Sequence, residues 1–120
     1  MQVVVTSQGP GLDSPIDPRF GRARYLILVD TDTGAFSAVD NEINLNAAQG
    51  AGIQTGRKVV ELKAQAVITG HVGPKAFSTL AAGGLVAYTG AQGTVSQAIE
   101  QLKAGQLQRT ESADVEGHWS

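Results

Sequence analysis

Apolar residues along this chain fall into short runs that are separated by glycine-rich polar stretches. Five of these runs have the length and the composition of β-strands. They span residues 2–6, 25–30, 35–40, 66–69 and 85–88. A Thr-Asp-Thr-Gly turn separates the second run from the third, which is typical of a hairpin. The first part of the chain is therefore predicted to be a β-meander.

Three segments in the remaining part have the pattern of helices. Residues 50–63 carry apolar residues near a 3.6-residue period. A second helix is predicted to open at Gly73-Pro74, with proline at its first position, and to close at residues 83–84. Thr94-x-x-Gln97 is the signature of a capping box and predicts the start of a third helix, which ends at Gly105.

The order β-β-β-α-β-α-β-α predicts a mixed sheet in which the later strands run parallel and helices cover both faces. The chain of 120 residues has the size of one domain, and 42% hydrophobic residues suffice for one core. From Gln106 onward the sequence is polar and shows no period. We therefore expect a three-layer α/β domain followed by a loose tail.

Composition excludes several classes of function. The formal net charge of -2 argues against general nucleic-acid binding, and no apolar run approaches the ~20 residues of a membrane span. We expect a cytoplasmic protein without membrane or nucleic-acid partners. The chain has no cysteine, so it has no thiolate nucleophile or thiolate metal ligand. Walker, dinucleotide-binding and nucleophile-elbow motifs are absent as well, and we expect no enzymatic activity.

Glycine-rich loops follow three of the predicted strands, at residues 7–21, 70–74 and 89–93. Because ligands of open α/β sheets collect at the carboxyl ends of parallel strands, these loops are the candidate site. Three of the nine Lys and Arg residues lie in the first loop or directly after it, as Arg19, Arg22 and Arg24. This basic stretch either holds an anion or is a solvated turn, and spacing alone leaves both interpretations open.

The other two loops contribute further candidates. The helices that begin at Gly73 and Thr94 are expected to present free N–H groups to an anion. Lys75 lies in the first helical turn, where the helix dipole disfavours a cation unless an anion offsets it, although a solvated surface lysine fits equally well. His71 is a candidate hydrogen-bond donor, metal ligand or ordinary loop histidine.

Three segments in combination resemble one family. They are Ser14-Pro15-Ile16-Asp17-Pro18-Arg19-Phe20-Gly21-Arg22-Ala23, then Val67-Ile68-Thr69-Gly70-His71-Val72-Gly73-Pro74-Lys75-Ala76-Phe77, then Gly93-Thr94-Val95. The chain is similar to small proteins associated with biosynthesis of the nitrogenase iron-molybdenum cofactor. The resemblance covers residues 1–107 and implies one ribonuclease-H-like α/β/α domain there, with residues 108–120 as the loose tail. It also implies a five-stranded mixed sheet of order 3-2-1-4-5, in which strand 2 is antiparallel to the rest.

The resemblance further implies non-catalytic binding, assembly or carriage of a metal–sulfur cluster or its thiomolybdate precursor. Some members place cysteine or histidine around the cluster, whereas Arg19 stands here where a His-Phe-Gly form of the loop has histidine. The chain looks most like cysteine-poor members that hold a molybdenum–copper sulfide cluster non-covalently. Such an anionic cluster brings its own sulfide ligands, so it needs cations, N–H donors and apolar walls, and no direct bond from protein to metal.

The candidate residues for contact with such a cluster lie in or beside the three loops. They are Arg19, Phe20, Gly21, Arg22, Ala23, Arg24, His71, Val72, Gly73, Pro74, Lys75, Tyr88 and Gly93. Phe20, Val72, Phe77 and Tyr88 are the proposed apolar walls.

Two alternatives stay open. One is a binding module for a small anion or a partner protein on the same fold. The other is a nuclease-like hydrolase, against which Asp13, Asp17, Asp30 and Asp40 fall on separate loops and strand ends.

Overall fold

The computed structural model describes residues 1–46 and 50–110, which form one mixed sheet with helices on both faces. The strands are β1 Gln2–Ser7, β2 Tyr25–Asp30, β3 Phe36–Asp40, β4 Ala66–Ile68, β5 Val86–Thr89 and β6 Gln108–Thr110. Their spatial order is β3-β2-β1-β4-β5-β6. β1, β3, β4 and β5 run parallel, whereas β2 and β6 run antiparallel to them. The implied order 3-2-1-4-5 with an antiparallel second strand is confirmed.

Four helices accompany the sheet in the described part of the chain: α1 Glu42–Leu45, α2 Ala51–Glu61, α3 Pro74–Ala82 and α4 Val95–Lys103. The last three confirm the predicted helices. The short α1 is not among the predicted helices, because its four residues are too few to show a helical period. None of the described helices is long and apolar enough to cross a membrane.

Alternate residues of the central strands point into two separate cores. Val4, Leu26 and Val67 pack with residues of α2 and α3, such as Val59 and Leu80. Val3, Val5, Ile27 and Ile68 pack on the other face with Val95, Ala98 and Ile99 of α4. Because β1 is buried on both faces, its sequence is a continuous apolar run rather than an alternating one. The predicted three-layer α/β architecture is thus confirmed.

The strand β6 was not predicted. The polar sequence from Gln106 onward predicts no regular element, but Gln108–Thr110 pair with β5 in antiparallel register, and the hydroxyls of Thr89 and Thr110 lie 2.8 Å apart. A polar three-residue edge strand carries no period of its own, because its pairing comes from the open edge of β5. Residues 111–120 of the predicted tail lie outside the described residues, and the division at residue 107 stays a prediction.

The capping box at the start of α4 gives a direct test of this part of the fold. The Gln97 N–H donates to the Thr94 hydroxyl at 3.2 Å, and Thr94 N–H donates to the Gln97 side chain at 2.9 Å. We expect Thr94→Ala to lower the free energy of unfolding by about 1 kcal/mol, since this substitution leaves the Gln97 N–H without its acceptor. Urea unfolding checks this, with Ser96→Ala on the exposed surface of the same helix as control. Equal unfolding midpoints for the two variants would contradict it.

Candidate functional site

The carboxyl end of β1 is held by the returning part of the first loop. Ile16 forms an isolated bridge with Ser7, the last residue of β1. The Asp17 N–H donates to the carbonyl oxygen of Thr6 at 2.9 Å. Residues 16–20 therefore continue across the end of β1 towards the end of β4.

The next contact joins the first loop to the second. His71 N–H donates to the Pro18 carbonyl at 2.7 Å, and Phe20 N–H donates to the His71 carbonyl at 3.2 Å. These bonds place Arg19 and His71 side by side as a parallel bridge. Two predicted site residues that are 52 positions apart in sequence are thus fixed as neighbours by backbone hydrogen bonds.

The third loop is joined to the first through the start of α4, and this corrects one prediction. Val95 N–H donates to the Ser14 carbonyl at 3.0 Å, and Ser96 N–H donates to the Leu12 carbonyl at 2.8 Å. Gln97 N–H donates to the Thr94 hydroxyl. The first N–H groups of α4 therefore already have acceptors within the protein, so the expected free donors for an anion are absent at this helix.

The N-terminus of α3 differs from that of α4. Gly73 is extended, with φ -83° and ψ 172°, and Pro74 occupies the first helical position as predicted. No side chain of the described residues caps this helix. Lys75 is exposed in its first turn, and no described carboxylate lies within 4 Å of its ammonium group. The N-terminus of α3 therefore presents the positive end of the helix dipole, together with the charge of Lys75, at the protein surface.

Several predicted site residues share an exposed position on these loops: Arg19, Arg22, His71, Pro74 and Lys75. Arg22 ends the 3₁₀ turn Phe20–Arg22. The Arg19 side chain is 55% exposed and its Nε lies 4.0 Å from the Asp17 carboxylate. Two arginines, one lysine and one histidine are thus accessible to solvent on these loops.

The predicted apolar walls are partly wrong. Phe20 and Val72 are each 1% exposed and belong to the core that faces α2 and α3, and Ala23 is fully buried there. They lie beneath the loops, because their side chains fill the space between the sheet ends and the helices. A ligand at the surface does not reach these three side chains. Phe77 and Tyr88 are half-buried, and each packs against one of the two cores.

The glycines of the site have structural roles that the sequence does not specify. A Cβ atom on Gly21 would lie 2.8 Å from the Cα atom of Gly52, so the 3₁₀ turn approaches α2 too closely for any other residue. Gly93 has φ +89°, and its carbonyl accepts a hydrogen bond from Ile16 at 2.9 Å. The lack of a side chain on Gly21 lets the first loop approach α2, and the conformation of Gly93 lets the third loop bond to Ile16.

Arg24 lies at the same edge of the sheet but has other partners. It hydrogen-bonds the carboxylate of Asp40, and its Nη2 lies 3.5 Å from Glu42. Its guanidinium also stands 4.6 Å from the centre of the Tyr25 ring. Two carboxylates balance the charge of Arg24, which the sequence groups with Arg19 and Arg22.

The Arg24–Asp40 pair makes stability depend on pH. The hydrogen bond from Arg24, followed by that from the Glu42 N–H, lowers the pKa of Asp40 below its ordinary value of 3.8. A lowered carboxyl pKa stabilises the fold above the ordinary value, and this contribution is lost as pH falls through the lower folded value. We expect Asp40→Asn to lower the urea midpoint at pH 7 and the gap from the wild type to close below pH 3.8.

A double-mutant cycle provides the control for this prediction. In an Arg24→Gln background, the effect of Asp40→Asn is expected to shrink, since its principal partner is gone. A gap between the wild type and Asp40→Asn that stays constant into strong acid would contradict the assignment.

A buried polar cluster lies below the loops and is not predicted from the sequence. The hydroxyl of Thr6 donates to the Asp17 carbonyl at 2.7 Å and lies 2.8 Å from the hydroxyl of Thr69. The Asp17 carboxylate accepts a hydrogen bond from the Arg19 N–H at 2.9 Å. The sequence signal for this cluster is a threonine at the end of the predicted strands 2–6 and 66–69, because a buried polar side chain needs a hydrogen-bond partner.

Carboxylates are not gathered into a metal site in the described residues. No group of three or more His, Cys, Asp or Glu side chains there has the geometry to hold a metal ion. Asp30 pairs with Gln2 at the start of β1, whereas Asp40 ends β3 at the opposite edge of the sheet. This arrangement gives no support to the hydrolase alternative.

The fold and these loops define a small α/β protein with exposed cations at the carboxyl edge of a mixed sheet. The chain belongs to the family described as dinitrogenase iron-molybdenum cofactor, whose model matches residues 1–105. The predicted family is thereby confirmed. Membership supports a cluster-binding or accessory role.

Solved structures agree with this assignment. The apo form of the orange protein from Desulfovibrio gigas is 37% identical, with a TM-score of 0.92, and the match covers 95% of this chain and 96% of that one. A protein from Thermotoga assigned as a NifB protein is 33% identical, with a TM-score of 0.80 and coverage of 95% and 98%. The motifs that carry the family resemblance also predict similarity to the orange protein in particular, and this similarity is confirmed.

A more distant structure shows the fold alone. It is a protein from Methanocaldococcus jannaschii assigned as a dinitrogenase, 15% identical, with a TM-score of 0.70 and coverage of 93% and 96%. Among curated proteins, none matches this chain in sequence.

Proposed function

We propose that this protein binds and carries, or helps to assemble, an anionic molybdenum–copper sulfide cluster without catalysing a reaction on it. The observation that carries the proposal is the exposure of Arg19, Arg22, His71 and Lys75 on adjoining loops at one edge of the sheet. Family membership and the similarity to the orange protein support the cluster-binding part. The choice of molybdenum and copper rests on the resemblance of the sequence.

The donor set suits such a cluster. The chain contains no cysteine, so a cluster bound here brings sulfide as its own sulfur ligand. Sulfide-rich anions are stabilised by positive charge and by N–H donors in their outer shell. Guanidinium and ammonium groups supply both, and they need no bond to the metal.

The exposed residues have different roles in this proposal. Arg19 and Arg22 are the counter-charges, because guanidinium groups present several N–H donors in one plane. Lys75 adds a point charge at the N-terminus of α3, whose dipole favours the same anion. His71 is a hydrogen-bond donor beside Arg19. Arg24 contributes through its ion pairs to the shape of the site rather than by contact.

Reconstitution tests the proposal. The purified protein is mixed with tetrathiomolybdate and copper, separated by gel filtration, and examined by absorption spectroscopy and metal analysis. We expect a coloured, charge-transfer-absorbing complex that contains both metals and elutes with the protein. If the metals elute without the protein, the proposal is wrong.

The alternative of a small-anion or partner-protein module predicts another result. Such a module binds inorganic phosphate as readily as tetrathiomolybdate, or binds neither, and it contains no metal when isolated from its native source. Metal analysis of the native protein therefore separates the two functions. A cytoplasmic location stays a prediction that fractionation of the source cells can test.

A further inference from the structure

The buried cluster beneath the loops connects the strand ends to Arg19. Thr6, Thr69 and Asp17 are polar residues with 0%, 0% and 6% exposure. Thr6 contacts both backbone groups of Asp17: its carbonyl accepts from the Asp17 N–H at 2.9 Å, and its hydroxyl donates to the Asp17 carbonyl at 2.7 Å. Asp17 is therefore held at the end of β1 by one residue.

Thr69 completes the connection from the side of β4. Its hydroxyl lies 2.8 Å from the Thr6 hydroxyl. Its N–H donates to the Tyr88 carbonyl at 3.0 Å, so the residue is itself held by the end of β5. Since a hydroxyl has one proton and two acceptor positions, Thr6 can donate to Asp17 and still bond Thr69.

These contacts form a closed ring with the exposed pair above them. Asp17 accepts from the Arg19 N–H at 2.9 Å through its carboxylate. Two residues beyond Thr69, His71 is joined to Pro18 and Phe20, which flank Arg19. The segments 17–19 and 69–71 are thus connected in the protein interior through Thr6 and at the surface through the Arg19–His71 bridge. The ring links the backbones of the two exposed residues.

We infer that Thr6 and Thr69 are positioning residues for ligand binding, which hold Arg19 and His71 in the arrangement that an anionic cluster contacts. This inference rests on the proposed function. The threonines are buried and do not reach the ligand. They act through Asp17 and the loop backbone, and a loop that is held before binding loses less entropy when the ligand arrives.

Thr69→Val tests the inference, because valine keeps the size and branching of threonine and removes its hydroxyl. We expect the affinity for tetrathiomolybdate to fall about fivefold, the effect of losing one net hydrogen bond. Amide hydrogen exchange should accelerate at Arg19, Phe20 and His71, with the β1–β2 amides unchanged. Thr69→Ser restores the hydroxyl and is expected to restore both properties.

A matched control is Thr55→Val. Thr55 is also fully buried, but it lies on α2 and its hydroxyl accepts from Asn41 at 3.1 Å. This variant is expected to keep wild-type affinity and wild-type exchange at Arg19 and His71. Equal affinity losses in the Thr55 and Thr69 variants would overturn the inference.

Other outcomes would also overturn it. Unchanged exchange at Arg19, Phe20 and His71 in Thr69→Val would show that the ring does not hold the loop. Uniformly faster exchange over the sheet would show a general loss of stability, and faster local exchange with unchanged affinity would show that the ring has no role in binding. Failure of the wild type to bind tetrathiomolybdate overturns the proposed function instead, while the exchange rates still test the ring because they need no ligand.

Discussion

Replacing Arg19 and Arg22 together by glutamine is expected to weaken tetrathiomolybdate binding about 100-fold, since each charge-assisted hydrogen bond contributes roughly 1.4 kcal/mol or more. Glutamine keeps much of the length of arginine and removes its charge. Both residues are exposed at the loop edge, so the loss reflects the ligand rather than the core. Titration followed by absorption or calorimetry measures the two dissociation constants.

The control for this variant removes the same charge from the opposite edge of the molecule. Lys63 follows α2 near the start of β4, and Lys103 ends α4, so neither lies near the loops. We expect Lys63→Gln/Lys103→Gln to bind within about twofold of the wild type at moderate salt, because screened charges at this distance contribute little. A similar loss in both double variants would show a general effect of net charge and contradict a local site.

The salt dependence separates these effects further. Binding by the wild type should weaken as ionic strength rises, because exposed guanidinium groups are screened. The Arg19→Gln/Arg22→Gln variant should show a flatter dependence. If the slopes were equal, the two arginines would not be the charges that meet the anion.

Gly70→Ala is expected to lower the free energy of unfolding by about 3 kcal/mol, the range of overpacking combined with a lost hydrogen bond. A Cβ atom on Gly70 would lie 2.7 Å from the carbonyl oxygen of Pro18 and 2.8 Å from its Cα atom. The same carbonyl accepts the His71 N–H. The methyl group that alanine adds is therefore expected to push apart the two loops where Arg19 and His71 meet. The affinity for the ligand should fall as well.

Gly11→Ala is the matched control for this substitution. Its added Cβ atom would approach the Asp13 carboxylate at 2.8 Å, which is a side-chain end that can turn away. We expect a change below about 1 kcal/mol and unchanged binding. Urea unfolding of both variants gives the comparison, and a Gly70→Ala variant as stable as Gly11→Ala would show that the loops can separate without cost.

The predicted elements that were confirmed are those whose signals are local. The capping box Thr94-x-x-Gln97 needs residues only three positions apart, and it occurs in the structure as the sequence predicts. Gly73-Pro74 opens α3 for a similar reason, because proline fixes φ and loses no helical hydrogen bond at the first position. The strand β6 has no such signal, since it forms by pairing along β5.

The site was predicted less completely than the fold. Arg19, Arg22 and Arg24 look equivalent in the sequence, but Arg24 is paired with Asp40 and Glu42 on another element. Phe20 and Val72 look like exposed apolar residues beside glycines, but both are buried in the core. The start of α4 looks like an anion site, but the carbonyls of Leu12 and Ser14 occupy its N–H groups.

The sequence by itself determined the order of the first five strands and of the three longer helices, the concentration of cations in one loop and the lack of any thiol ligand. Periodicity, caps, charge and composition are properties of neighbouring residues or of the whole chain, so they can be read without coordinates. Only the tertiary structure decided which cations stay exposed, which helix N-terminus has no side-chain cap among the described residues and how the loops are held. These properties depend on partners far apart in sequence, such as Thr6 and Thr69, which are separated by 63 positions and meet through a 2.8 Å hydrogen bond.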